Sequence, residues 1–346
     1  MFVEINKTGS ATSPLTLGKR IRVVSVNAEP KVGDVVAVKA LTESVTYGNL
    51  ELPTGRLAKI NRGDILLGVL GKRRALKGFV GDVPATVNAG DRLHLLNMGG
   101  VIGECKGHHS SLSDAIEVEV IGSACDEVGL PMNIGDAGLL PADSLHKSAP
   151  IVLVAGSCMN SGKTVAAIEI IKQASNAGLK VAAAKLTGIA CLRDTLNMQD
   201  HGAFTTASFL DCGLPSTVER EDLADVARAL FNHLNTFSPD LIVAELGDGI
   251  IGGYGVDRVL RDSVIMEAVS SVVFCASDYV GVIGGMTVLG DLGIDIDVVA
   301  GSVTDSQMGE DFIRVQFGLN AGNARRDGKR LFELVQAAVR AEAAVA

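Results

Sequence analysis

The chain has no tryptophan, three tyrosines and ten phenylalanines among its 346 residues. Proteins that hold single-stranded nucleic acid or peptides on aromatic platforms need more flat side chains than this supply provides. Positive charge is short as well. Lys and Arg total 31 against 40 Asp and Glu, a formal net charge of −9, which works against broad attraction to nucleic acid or an anionic bilayer. The opening residues MFVEINKTGS lack the charged-then-apolar layout of a secretory leader. The most apolar late stretch, Val280 to Val303, is interrupted by Asp291, Asp295 and Asp297, so no membrane span is expected. The six cysteines, Cys105, Cys125, Cys158, Cys191, Cys212 and Cys275, show no paired spacing and sit mostly in apolar runs, as reduced buried thiols do. A soluble cytoplasmic protein is the expectation.

What is abundant is small apolar side chain and glycine: 47% of residues are hydrophobic, 21% are charged, and 40 are Gly. That composition folds, and it suits α/β packing. The length favours two domains over one oversized core.

From about Lys19 to Leu140 one phrase repeats. Gly33-Asp34 precedes VVAVKA, Gly63-Asp64 precedes ILLGVL, Gly81-Asp82 precedes VPATV, Gly90-Asp91 precedes RLHLLN and Gly135-Asp136 precedes AGLL. Each reads as a turn feeding a short strand, which predicts an antiparallel, barrel-like β domain over residues 1–142. Gly-Asp is a common turn pair, so no chemistry attaches to it. PADSLHKSAP, with its two prolines, then reads as a linker centred on residues 143–149.

The pattern changes at Pro150. IVLVAG, a Gly/Ser turn, a helix from Lys163 to about Ala177 ended by Gly178, and the strand KVAAAKL make a βαβ opening. A helix from about Glu219 to Leu234 follows with Leu223, Val226, Ala227, Leu230 and Leu234 on one face. Strands are expected at Leu241 to Glu245, Ser271 to Ala276 and Asp295 to Ala300, and a last amphipathic helix runs from about Gly328 to the end. Residues 150–346 are thus expected to form an α/β domain with a mainly parallel sheet and helices on both faces.

The strongest signal is Gly156-Ser157-Cys158-Met159-Asn160-Ser161-Gly162-Lys163-Thr164. Phosphate binding needs backbone N–H groups aimed inward, a loop that only glycine permits, and a helix N-terminus whose dipole favours anions. A strand before and a helix after make this a believable Walker A loop. Gly156, Ser157, Asn160, Ser161 and Gly162 would cradle phosphate, Lys163 would reach the outer phosphates, and the Thr164 hydroxyl would meet Mg²⁺. The loop is one residue longer than GxxxxGKT.

The longer GxxxxxGKT form resembles that of dethiobiotin synthetase and its relatives among the P-loop nucleoside triphosphatases. The likeness runs from Val152 to about Gly255: the loop, then Lys185-Leu186-Thr187-Gly188 where the family has Lys-Pro-Val-x-x-Gly, then an acid in a polar helix, then DLIVAELGDG where the family has a strand ending Val-Glu-Gly-x-Gly-Gly. The resemblance implies ATP and Mg²⁺, a metal site of Thr164, Asp200 and Glu245, and catalytic lysines at Lys163 and Lys185. Asp194 lies near Asp200 and offers an alternative. The segment also resembles a family of the same clan that includes amino-acid N-acyltransferases.

Other groups favour plainer readings. Cys105 with His108 and His109 has soft ligands but no second cluster to complete a metal site. His201 beside Asp200 suits a solvated loop better than a general base. Cys158 suits a small turn residue, and Arg325, Arg326, Lys329 and Arg330 suit a solvated helix start. Thr304-Asp305-Ser306 follows a strand where a base contact would lie, without the guanine-reading Asn-Lys-x-Asp pattern.

Together these features suggest an ATP- and Mg²⁺-dependent enzyme activating a small-molecule acceptor, with ligase-like chemistry. Two other classes stand beside it: a nucleotide-controlled switch or chaperone whose β domain binds a partner protein, and an N-acyltransferase holding an acyl-CoA donor. The expected partners are a nucleotide and a small acceptor, with a homo-oligomer as a further option and neither nucleic acid nor membrane.

Overall fold

A computed structural model describes residues 1–27 and 29–345. Ala346, the end of the expected last helix, lies outside them. The chain divides into two compact units. The first comprises Met1–Leu139 with two later segments, Ile189–Arg193 and Phe209–Val218. The second comprises Leu140–Gly188, Asp194–Ser208 and Glu219–Ala346. A division of the sequence at 142 and 150 gives both later segments to the second domain; here they pack with the first.

The first unit is built on a ten-stranded sheet. Within it, Val35–Ala40 pairs antiparallel with Glu117–Ala124 and with Ile65–Leu70, and Ile65–Leu70 pairs parallel with Val101–His108. Arg92–Leu95 pairs antiparallel with both Val101–His108 and Glu117–Ala124. These pairings return to their starting strand, so five strands form a closed circuit around a core that includes Val36, Val38, Leu66, Leu70, Leu95, Ile102 and Val118.

Three of the Gly-Asp turns share one construction. Gly33, Gly63 and Gly90 have φ of 93°, 91° and 94°, which a side chain would strain. The following Asp34, Asp64 and Asp91 accept the backbone N–H of Lys31, Asn61 and Asn88, three residues earlier, and strands begin directly after. The other two turns depart from the expected pattern. Gly81 and Asp82 lie inside the strand Phe79–Asp82, and VPATV does not form the strand expected of it, since Pro84 has no N–H to give a ladder. Gly135 and Asp136 sit in a 3₁₀ turn, Ile134–Ala137, closed by a capping box from Asn133.

The second unit carries seven parallel strands: β1 (Ile151–Gly156), β2 (Val181–Lys185), β3 (Thr205–Ser208), β4 (Leu241–Glu245), β5 (Val269–Cys275), β6 (Val298–Ala300) and β7 (Asn320–Ala321). Their order is β3-β2-β4-β1-β5-β6-β7. The principal helices are α1 (Lys163–Asn176), α2 (Arg193–Asp200), α3 (Leu223–Asn235), α4 (Val256–Leu260), α5 (Ser263–Ala268), α6 (Tyr279–Gly290), α7 (Gln307–Phe312) and α8 (Gly328–Val345). Every residue of β1, β2 and β4 is buried, and β2 is Ala-rich, which lets helices pack close to the sheet. Ala166, Ala167, Ile170 and Ile171 of α1 meet Leu331, Phe332 and Val335 of α8 in one core with the strands. This is a doubly wound α/β architecture, with crossovers running to both sides of β1, where such sheets open a crevice at the strand C-termini.

The polar stretch read as a linker is fastened down. Along α3, Asp225 accepts Ala142 N–H through its backbone carbonyl, and Arg228 Nε donates to the Ala142 carbonyl. Asn232 Oδ1 and Asn235 Oδ1 accept the N–H groups of His146 and Ala149. The spacing of these side chains follows the helical repeat, so one face of α3 supplies a row of partners for an extended strap.

Candidate phosphate and metal site

The expected loop residues come together at the C-terminal end of β1. Ser157 N–H donates to the Cys275 carbonyl at the end of β5, and Ile250 N–H donates to the Gly156 carbonyl, pinning the loop between its neighbours. A Cβ on Gly156 would come within 2.6 Å of Ser161 Oγ and 2.7 Å of the Cys275 carbonyl. Asn160 and Gly162 have positive φ, 64° and 103°, and Gly162 passes so close to Gly301 that a Cβ would sit 2.8 Å from its Cα. Glycine is required at 162 on both counts. Gly162 caps α1 with no side-chain hydrogen bond, which leaves the first-turn N–H groups to face the loop interior.

Lys163 is buried, and its Nζ donates to the Cys158 carbonyl at 2.8 Å, curling the loop over its own lysine. Burial and then the neighbouring Lys185 charge lower its pKa, with Glu245 opposing. Thr164 Oγ1 donates to Glu245 Oε1 at 2.9 Å. Glu245 ends β4 and is 1% exposed. Lys185 ends β2 in direct register with it, and Lys185 Nζ lies 2.7 Å from Glu245 Oε1 and 2.9 Å from Asp194 Oδ2. Burial pulls the Lys185 pKa down, but Asp194 and then Glu245 more than offset it, so the ammonium is held above its ordinary range.

Asp200, the acid chosen from the sequence for the metal, is exposed at the far end of α2. Asp194, at the start of that helix, is the acid that meets Lys185. His201 Nδ1 bonds to the Asn197 carbonyl and finishes the helix. His108 contacts Asp114 and His109 contacts Ser111, and among the described residues no cluster of three or more His, Cys, Asp or Glu could hold a metal on its own. Arg326 is taken up by Glu310, Gln307 and the Thr304 carbonyl.

Two side-chain atoms at the site are buried without a hydrogen-bond partner, Ser161 Oγ and Glu245 Oε2. Such atoms cost about 1–3 kcal/mol each unless something meets them. A carboxylate oxygen beside a threonine hydroxyl suits a hard divalent cation, and an unpartnered hydroxyl in a glycine-bearing loop at a helix N-terminus suits a phosphate oxygen. Mg²⁺ commonly takes one or two protein oxygens and completes its shell with phosphate and water, so the lack of an all-protein cluster fits this cation. The residues present therefore fit a Mg²⁺–phosphate ligand.

Asp248 is a feature that sequence reasoning missed. It adopts φ of 70°, rare for a non-glycine residue, between Gly247, whose Cβ would lie 2.1 Å from the Thr187 carbonyl, and Gly249, whose Cβ would lie 2.5 Å from that of Ser157. Burial raises its pKa while Lys163 pulls it down. The only signal available was the Gly-Asp-Gly run itself. Cys275, behind the loop, is a buried thiol pushed up to about 12 by burial, with Lys163 opposing.

No family model matches the chain, and no curated protein matches it. Among solved structures it is similar to the signal recognition particle receptor FtsY from Elizabethkingia anophelis, with a TM-score of 0.38 and 12% identity over 61% of this chain and 75% of that one. The cell division protein FtsY from Thermotoga maritima gives 0.39 and 13% over 60% and 78%. The signal recognition particle 54 kDa protein from Aeropyrum pernix K1, solved with GDP, gives 0.37 and 16% over 57% and 50%. A relationship to dethiobiotin synthetase finds no support among these structures.

Proposed function

We propose that the second unit binds a nucleoside triphosphate with Mg²⁺ and that the bound nucleotide controls the first unit, making the protein a nucleotide-dependent switch. The observation that carries the binding is the convergence of Thr164, Lys185 and the buried, half-satisfied Glu245 beside a phosphate-type loop. Mg²⁺, when bound, would neutralise phosphate charge and polarise the phosphoryl oxygens. The N–H groups of Ser161 to Thr164 would orient the phosphates, Lys163 would exchange its Cys158 carbonyl for a phosphate oxygen, and Glu245 with Thr164 would hold the metal. Lys185, kept charged by its two acids, would fix Glu245 in place. Positioning and electrostatics of this kind are most of what phosphoryl transfer asks of a protein.

The switch is preferred to the ligase because of where the chain goes next. Directly after β2 and Lys185 it leaves the second unit for Ile189–Arg193, and directly after β3 it leaves again for Phe209–Val218. Elements at the nucleotide site are thus continuous in sequence with segments of the first unit, whose circuit of strands we take to be a barrel-like partner-binding module. One observation favours the second reading, activation of a small acceptor: a cavity of about 270 Å³ lined by Ile250, Asp257, Leu260, Arg261, Val288, Asp291 and Leu292 opens beside the segment that follows Asp248.

Thermal unfolding with ATP, GTP and an acyl-CoA, each with Mg²⁺ or EDTA, tests the reading. A ligand at a hundred times its dissociation constant adds about 2.7 kcal/mol. The expected result is stabilisation by a triphosphate that needs Mg²⁺; stabilisation by acyl-CoA alone, or by nothing, overturns it.

A further inference from the structure

We propose that Glu51 is the residue through which nucleotide binding is felt in the first unit, by positioning the segment that carries Asp194 to Lys185. Glu51 ends the strand Asn49–Glu51 and is 1% exposed. Among the described residues no Lys or Arg forms an ion pair with its carboxylate. Instead it accepts Ser10 Oγ, Leu192 N–H at 2.7 Å, Arg193 N–H at 2.8 Å and Cys191 Sγ at 3.1 Å. Two of these donors are the backbone N–H groups that open α2, where a helix dipole favours negative charge. A buried carboxylate satisfied this way holds the peptide of residues 191–193 in one place, because every donor lost leaves charge unmet.

The rest of the segment is held equally firmly within the first unit. The Ala190 carbonyl accepts Asn97 Nδ2 at 2.7 Å, and Ala190 N–H donates to the Pro215 carbonyl at 2.9 Å. A Cβ at Gly99 would lie 2.1 Å from that same Ala190 carbonyl, so the turn at Gly99 runs in close backbone contact with the segment. The next residue along the chain, Asp194, is back in the second unit with its carboxylate on Lys185. On the other side Gly188, with φ of 133°, joins the segment to the Lys185 strand. One short peptide thus runs from the site into the Glu51 clasp and back to the site.

The inference rests on the proposed nucleotide binding. When ligand and metal engage Glu245, the balance of Lys185 between Glu245 and Asp194 changes, and Asp194 can follow only by pulling on the peptide that Glu51 grips. Coupling of this kind is reciprocal, so loosening the clasp must change nucleotide affinity. Glu51 here is a positioning residue, since it acts through the peptide of residues 191–193.

The test uses the full chain with Mg²⁺ and the non-hydrolysable analogues AMP-PNP and GMP-PNP. Hydrogen exchange of the Leu192 and Arg193 amides is followed in the wild type with and without the analogue that binds. Affinity is then measured for Glu51→Gln, Asp194→Asn and the double variant. The expected result is a change of about fivefold or more in exchange at those two amides on binding. Glu51→Gln should weaken affinity by a similar factor, and that loss should largely vanish in the Asp194→Asn background. Unchanged exchange in a wild type that binds the analogue overturns the relay while leaving the nucleotide reading intact. An equal loss from Glu51→Gln in both backgrounds also overturns it, since that is what a merely structural clamp would give. A wild type that binds neither analogue overturns both. The exchange measurement decides the question even where Glu51→Gln folds poorly.

Discussion

Replacing Lys185 by methionine removes a charge from the centre of the site while nearly preserving its volume. Lys185 is almost fully buried between Glu245, which is 1% exposed, and Asp194, whose side chain is 26% exposed. Removing one partner of a buried ion pair costs about 3–5 kcal/mol, because the other charge is left in a poor solvent. Here the cost falls toward the lower end, since Glu245 Oε1 keeps its bond from Thr164 and Asp194 keeps access to water. A loss of about 3 kcal/mol is expected, roughly 6–12 °C in melting temperature for a unit of this size. Lys185→Met with Glu245→Gln should recover much of the loss, because the carboxylate that burial penalises most is then neutral while Asp194 keeps access to water. The sign of the pH dependence is fixed too. Lys185 in the folded state holds its proton above the ordinary value of 10.5, so its contribution is fully present below that value and is lost only as pH rises beyond it. Denaturant unfolding at pH 7 and pH 9 should therefore give the same difference between wild type and variant. A Lys185→Met protein within about 0.5 kcal/mol of wild type, or a double variant no more stable than the single, would refute the reasoning.

Further outcomes follow from the same geometry. Lys163→Ala should weaken triphosphate binding by about 1.5–3 kcal/mol, the worth of a hydrogen bond to a charged group, with the fold retained; calorimetric titration beside circular dichroism checks both parts. Asp248→Asn should stabilise the protein at pH 7, because asparagine tolerates the φ of 70° and carries no charge to bury. That gain should shrink as pH falls into the acid range, where Asp248, its pKa raised by burial, takes up a proton sooner than an ordinary carboxylate and the two side chains become alike; melting curves down the pH scale measure it. Limited proteolysis should leave residues 143–149 uncut in the native protein, and Asn232→Ala with Asn235→Ala should expose the strap to cleavage.

The parts of the fold legible in the sequence are those with local signals. The phosphate loop announces itself because glycine at 162 and an N-terminal turn at Lys163 are needed for reasons contained in a few residues. Glu245 is legible as the end of an apolar strand, and the three working Gly-Asp turns follow from a glycine φ and an aspartate three residues from its N–H partner. Gly81 and Gly135 carry the same letters without the left-handed φ, so their neighbours form other structures. What stays hidden is long-range. Glu51 lies 140 residues from Cys191 in sequence, and nothing in VTYGNLELP marks it as a clasp. The choice between Asp194 and Asp200 turns on which end of α2 faces Lys185, and periodicity alone does not orient a short polar helix. The fastening of residues 143–149 is hidden for the same reason: its partners, Asn232 and Asn235, are polar residues on a helix whose sequence signal is its apolar face.

Calorimetric titration of the triphosphate into wild type and Glu245→Gln, each in Mg²⁺ and in EDTA, tests the central claim most directly. The account predicts binding by the wild type that weakens when Mg²⁺ is removed, and a Glu245→Gln protein that has lost this dependence on the metal. Binding of neither ATP nor GTP by the folded wild type, or binding with an unchanged Mg²⁺ dependence in Glu245→Gln, would contradict it.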